Sequence, residues 1–222
     1  MDLNKIYEFF QPEKVRQRIH IVGCGSVGST LAENLARCGL EHFALWDFDT
    51  VEPHNIVNQM FTEEDVGKNK SEATRDIIKS INPEADVEIH TDGWDGNRMS
   101  GYVFLCVDSI ELRNQIVDKL FNDMSVVAVF DFRTSLESAQ HYAADWSDLH
   151  MKQVLKNSMN FTHAEAADET PTSACGITLG VATTVRLIVA LGVNNFINFV
   201  KGRGIKKFIQ IDGFNYVLDA FD

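Results

Sequence analysis

The run Arg18-Ile19-His20-Ile21-Val22 is rich in strand formers and leads directly into Gly23-Cys24-Gly25-Ser26-Val27-Gly28. Ser29 to Cys38 then has helical spacing and stops at Gly39, and a second apolar run, His42 to Trp46, ends at Asp47. Strand, glycine turn, helix and strand within about 30 residues form the opening of a Rossmann-type unit, whose right-handed crossover makes the two strands parallel. The glycines permit a tight turn and close backbone approach, and the free N–H groups at the helix start attract a polyphosphate. Asp47 lies 19 positions beyond Gly28, where a carboxylate can accept from a ribose hydroxyl. On these residues alone NAD, FAD and ATP are equal candidates.

The alternation continues. Lys70 to Ile81 has helical spacing with Ile77, Ile78 and Ile81 on one face, and Asn82-Pro83 terminates it. Asp86 to His90 reads as a third strand. Tyr102 to Val107 is almost purely apolar, as a strand covered on both faces should be, and it ends at Asp108. A helix over Ile110 to Phe121 and a buried strand over Val126 to Phe130, ending at Asp131, follow. Beyond Arg133 the pattern weakens: Glu137 to Ala144 suggests an antiparallel strand, Asp148 to Lys156 a short helix, Asn157 to Pro171 a polar loop, and Ser173 to about Val200 a long, nearly uncharged helix. Phe208 to Ile211 and Tyr216 to Leu218 flank Asp212-Gly213 as a hairpin would. The expected fold is therefore α/β and Rossmann-like, a mostly parallel sheet with antiparallel C-terminal strands and flanking helices.

Composition narrows the partners. With 20 basic and 32 acidic residues in 222, the net charge of −12 repels phosphate backbones and anionic lipid, which argues against nucleic acid and membrane. The stretch Cys175 to Val200 is interrupted by Arg186 and three glycines, which favours a buried helix over a bilayer span. Met1 to Lys5 carries no signal-peptide pattern, so a cytoplasmic location is expected. Cys24, Cys38, Cys106 and Cys175 include no C-x-x-C pair, which argues against structural zinc and a disulfide framework.

The loop after Asp47 separates the nucleotide candidates. It reads Asp47-Phe48-Asp49-Thr50-Val51-Glu52-Pro53-His54-Asn55-Ile56-Val57-Asn58-Gln59, then Gly67-Lys68-Asn69-Lys70, and further on Cys106-Val107-Asp108-Ser109 precedes Arg113. A long polar loop inside a compact domain is usually functional. Lys70, near a helix start, can act as a point charge on phosphates. Asp108, at the carboxyl end of a central strand, is placed as a Mg²⁺ ligand would be. The bland alternatives are a solvated helix lysine at 70 and helix or turn caps at Asp108 and Asn55.

These three motifs, in this order, resemble the ThiF/MoeB-type adenylyltransferases, the family that includes the ubiquitin-activating enzymes. The resemblance is close over residues 18 to 135 and looser beyond. It implies ATP and Mg²⁺ as cofactors and adenylation of the C-terminal carboxylate of a small ubiquitin-like or sulfur-carrier protein ending in Gly. It also implies a homodimer, with 1–222 as one adenylation domain, 18–135 its nucleotide-binding half and 136–222 its carrier-binding and dimerisation half. By the same resemblance Gly23, Gly25, Ser26, Gly28, Asp47, Asp49, Asn55, Asn58, Lys70 and Asp108 bind the nucleotide, Asp108 holds Mg²⁺, and Asn55 lines the phosphate pocket.

The chain departs from the family at two phosphate-directed cations: Asn58 stands where an Arg precedes the Gln, and no R-Y-x-R-Q segment precedes Arg16. Arg113, Arg133, Arg16 and Arg18 are the candidate replacements, with Arg133 foremost because Asp131-Phe132-Arg133 ends a strand on the side of Asp108. The departure also opens a second reading, a catalytically weakened nucleotide-binding partner subunit; an NAD-dependent oxidoreductase is a third. Cys175, in Pro171-Thr172-Ser173-Ala174-Cys175-Gly176 before the long helix, is either a thioester-forming nucleophile or a packing thiol.

Overall fold

The computed structural model describes residues 1–161 and 179–222. Eight strands form one sheet: β1 (Ile19–Val22), β2 (His42–Trp46), β3 (Asp86–His90), β4 (Gly101–Leu105), β5 (Val126–Thr134), β6 (Ser138–Asp145), β7 (Phe208–Asp212) and β8 (Val217–Phe221). Their order is β3-β2-β1-β4-β5-β6-β7-β8. The first five are parallel, and β6, β7 and β8 are added antiparallel. The described helices are α1 (Ser26–Arg37), α2 (Lys70–Ile81), α3 (Ile110–Leu120), α4 (Leu149–Asn157) and α5 (Ala182–Val200). The mostly parallel sheet with antiparallel C-terminal strands is the expected architecture.

Alternation along the strands sorts the core into two layers. Ile19, Ile21, Phe43, Leu45, Phe104 and Phe130 face α1, α2 and α5, packing on Leu31, Leu35, Ile78 and Phe196. Val22, Ala44, Trp46, Val103, Leu105 and Val129 face α3 and α4, packing on Ile116, Val117, Leu120 and Leu155. Leu31 and Leu35 of α1 are fully buried, each contributing about 1.5–3 kcal/mol. Both faces covered is what a parallel sheet requires.

Helix α2 spans Lys70–Ile81 as expected, and Asn69 caps it, its side chain accepting from Ser71 N. Strand β5 runs on past Asp131 to Thr134, since Phe132 to Thr134 pair with Ala139 to His141 of β6. The irregular Asp49–Asn69 loop contains two short 3₁₀ turns, Pro53–Val57 and Glu63–Asp65. Helix α5 is long and apolar enough to cross a membrane, and half of that window is buried inside the protein. At the open edge, every residue of β8 is exposed.

Candidate functional site

Strand β1 pairs with β2 on one side and β4 on the other, so the winding direction reverses between β1 and β4. In open α/β sheets ligands bind outside the carboxyl ends of the strands at such a point. Helix α1 starts there at Ser26, three residues earlier than the periodicity indicated, and Gly28 lies inside it. A Cβ on Gly28 would sit 1.8 Å from the Gly23 carbonyl oxygen, so only glycine lets the helix seat this closely on the strand end. Gly25 has open space where a Cβ would go, and no side chain caps the helix start. The first N–H groups of α1 therefore face an open rim, ready for an anion.

Asp47 fastens this turn. Its carboxylate accepts from Cys24 N at 2.6 Å and Asp49 N at 2.8 Å, and it is nearly buried. Burial raises its pKa, and the two backbone hydrogen bonds oppose that rise. The Cys24 thiol is pushed well up by burial, and that of Cys106 up to about 12, so neither is a thiolate at neutral pH. Both behave as packing residues.

Lys70 is not a solvated helix residue. It is 9% exposed and its Nζ lies 2.8 Å from Asp49 Oδ2. Asn69 Nδ2 donates to the Asp47 carbonyl and Lys70 N to the Asp49 carbonyl, so the end of β2 and the start of α2 form one rigid corner. Asp108 follows β4 at the other side of the crevice. It does not cap α3: Ser109 does, accepting from Leu112 N. Asp108 is exposed, and among the described residues its carboxylate makes no hydrogen bond or ion pair.

Asn55 is buried and closes the 3₁₀ turn, its Oδ1 accepting from Glu52 N at 2.9 Å. Asn58 lies against Gly180, where a Cβ would stand 2.5 Å from its Nδ2. Met60 N donates to Ser29 Oγ of α1, bringing this loop over the first turn of the helix. Gln59 Oε1 is buried there with no donor among the described residues, an acceptor awaiting a partner.

The arginines fall elsewhere. Arg18 bonds the Phe43 carbonyl and Asp86 at the amino ends of the strands, opposite the crevice. Arg113 is buried and binds Asp131 and the Val107 carbonyl. Arg133 donates to Asp131 Oδ2 at 2.8 Å and to Ser158 O and Oγ, both at 2.8 Å, with its guanidinium 4.4 Å above the Tyr142 ring. Burial lowers their pKa to about 9 and about 10, so both stay charged at neutral pH. Neither offers phosphate a free fork. Cys175 lies outside the described residues.

A nucleoside triphosphate fits this donor set: an uncapped helix start, a buried ammonium, a ribose-side carboxylate and an orphaned amide oxygen. Among the described residues no group of three or more His, Cys, Asp or Glu could hold a metal by itself. Mg²⁺ is commonly held by one or two carboxylates together with substrate phosphates, and Asp108, exposed and without a hydrogen bond among the described residues, suits that mode.

Residues 2–221 match the sequence pattern of the ThiF family. The chain belongs to the ThiF family. It is 34% identical over 119 residues to the ubiquitin-like modifier-activating enzyme 5 of Caenorhabditis elegans, a match covering 46% of this chain and 28% of that protein. For the enzyme of the same name in Dictyostelium discoideum, identity is 44% over 70 residues, 32% of this chain and 18% of that protein. The matched region is thus under a third of these relatives' length. Among solved structures, Escherichia coli MccB with ATP superposes with a TM-score of 0.74 at 18% identity, covering 95% of this chain and 65% of that one. PaaA gives 0.72 at 17% identity, covering 100% and 68%. These likenesses establish the ThiF fold.

One buried ion-pair residue lies outside the sequence expectations. Asp131 reads as a strand terminator, yet it is the fully buried partner of two arginines. The signal was on α3: Arg113 falls on the apolar stripe of Ile110, Ile116, Val117 and Leu120, and a cation there demands a buried counter-charge.

Proposed function

We propose that this ThiF-family chain adenylates the C-terminal carboxylate of a small ubiquitin-like or sulfur-carrier protein ending in Gly, using ATP and Mg²⁺. The carrying observation is the pair of groups flanking the glycine turn: Lys70, buried and paired with Asp49, and Asp108, exposed and without a hydrogen bond or ion pair among the described residues. A carboxylate oxygen of the carrier attacks the α-phosphorus, the bond to the pyrophosphate oxygen breaks, and acyl adenylate and pyrophosphate result. Lys70 and the first N–H groups of α1 neutralise charge on the phosphates, Asp47 orients the ribose, and Asp108 holds the cation. Mg²⁺ would supply charge neutralisation at the leaving pyrophosphate. The names of the relatives, ubiquitin-like modifier-activating enzymes, and the capture of MccB with ATP support the choice of substrate and nucleotide.

Residues 18–135 would form the nucleotide half, and 136–222 the carrier-binding and dimerisation half. A homodimer belongs to the same proposal, supported by exposed apolar side chains at Leu187, Phe214, Leu218 and Phe221. Exchange of labelled pyrophosphate into ATP tests the reaction: it should depend on the carrier and vanish when the carrier's terminal carboxylate is amidated. The position of Asn58 favours a second reading, a nucleotide-binding partner subunit, since Arg18, Arg113 and Arg133 are engaged elsewhere. Tight ATP binding with no exchange until a paralogue is added would select that reading.

A further inference from the structure

Two guanidinium groups converge on one carboxylate beneath the crevice. Asp131 is wholly buried; its Oδ1 binds Arg113 and its Oδ2 binds Arg133 at 2.7 Å. The backbone of Asp131 is anchored on both sides, opposite Leu105 of β4 and Tyr142 of β6. Arg133 is fixed from behind by Ser158 at the end of α4 and lies between the Tyr142 and Phe161 rings, 4.4 and 5.6 Å from their centroids. Arg113 passes this rigidity forward, its Nη2 donating to the Val107 carbonyl.

That last bond falls where the strand ladder stops. The β1 to β4 ladder ends with Cys106 N donating to Val22 O, and the β4 to β5 register ends at Leu105 opposite Asp131. Between Cys106 and the Ser109 cap, the Arg113 bond to the Val107 carbonyl holds the backbone of the turn that carries Asp108, beside the packing of the Val107 side chain on the core.

We propose that Asp131 is a positioning residue for Asp108, acting through Arg113 and the Val107 carbonyl, with Arg133 and Ser158 holding Asp131 in place. The proposal rests on the adenylation reading, in which Asp108 holds the Mg²⁺ of the nucleotide. A carboxylate on an unrestrained turn would sample many directions, and orientation of a ligand by its supporting hydrogen bonds sets metal affinity.

The test compares wild type with Asp131→Asn and, because removing a doubly paired buried charge can unfold the chain, with the milder Ser158→Ala. Two readouts are taken. Hydrogen–deuterium exchange of a peptide spanning residues 106 to 112 should quicken about tenfold in Asp131→Asn while a peptide over residues 42 to 46 is unchanged. In pyrophosphate exchange the half-saturating Mg²⁺ concentration should rise about tenfold, with the KM for ATP within about twofold of wild type and the rate recovered at excess Mg²⁺. Ser158→Ala should shift both readouts in the same direction by less. Variants that melt earlier but keep the wild-type Mg²⁺ half-saturation and wild-type exchange at 106 to 112 overturn the proposal, leaving Asp131 a purely structural ion pair. If wild type itself gives no pyrophosphate exchange, the adenylation reading falls, and the deuterium readout alone decides whether Asp131 holds the Asp108 turn.

Discussion

Lys70 Nζ lies 2.8 Å from Asp49 Oδ2, joining the first residue of a helix to the loop that leaves β2. The pair holds a buried ammonium at the crevice before any ligand arrives. Asp49 is half exposed while Lys70 is not, so the pair faces solvent through its carboxylate.

Lys70→Met should therefore separate binding from stability. Asp49 can rehydrate, so the thermal cost should be about 1 kcal/mol or less. Loss of one charged donor to phosphate, about 1.5–3 kcal/mol, should weaken ATP at least about tenfold by calorimetry. Unchanged affinity would confine Lys70 to its bond with Asp49.

The two ends of the glycine turn should respond oppositely to a methyl group. Gly28→Ala places a Cβ 1.8 Å from a backbone oxygen and should lower the melting temperature sharply. Gly25→Ala meets open space, so the fold should survive while ATP affinity drops as the methyl enters the rim. Equal loss of stability in both variants would contradict the cradle geometry.

How much of this was legible in the sequence depended on which force set each feature. The strands β1, β2 and β4 and helix α2 were readable because burial imposes a run or a period, and Asn82-Pro83 punctuates the helix. Gly28 looked like turn and proved to be helix, because the tightness of the contact with Gly23 is tertiary. Lys70, Asp47 and Asp108 were placed at the crevice by motif order. Their partners were not, since pairing of Lys70 with Asp49 or of Asp131 with two arginines depends on rotamers that no spacing encodes.

Stability should fall in mild acid through His20. Trp46 Nε1 can only donate, and it donates to His20 Nδ1 at 3.2 Å, so the proton of the neutral ring sits on Nε2, 3.0 Å from the Ser100 carbonyl. Burial lowers the His20 pKa to about 4. Below the unfolded value of about 6.5 the unfolded chain takes a proton that the folded chain refuses until about pH 4, so stability is lost across that window. The loss from His20 is about 3 kcal/mol, and it levels off below about pH 4. His141, lowered to about 3 by burial, adds in the same direction, while the raised pKa of Asp47 partly offsets both. Denaturant unfolding from pH 7 to 4 should show this slope, flattened in His20→Gln; an unflattened slope would remove His20 as its source.

If Cys175 is the thioester-forming nucleophile rather than a packing thiol, incubation with carrier and ATP should give a covalent adduct, seen by intact mass and cleaved by hydroxylamine or excess thiol, that Cys175→Ser abolishes. An adduct persisting in that variant would place the thioester elsewhere, and the absence of any adduct in the wild type would end the pathway at the adenylate.

The adenylation claim itself is tested most directly by following oxygen. A carrier labelled with ¹⁸O in its terminal carboxylate is incubated with the protein, ATP and Mg²⁺, and hydroxylamine then releases the acyl group. Attack of that carboxylate on the α-phosphorus predicts AMP carrying one ¹⁸O; formation of ADP, or of AMP without the label, would contradict it.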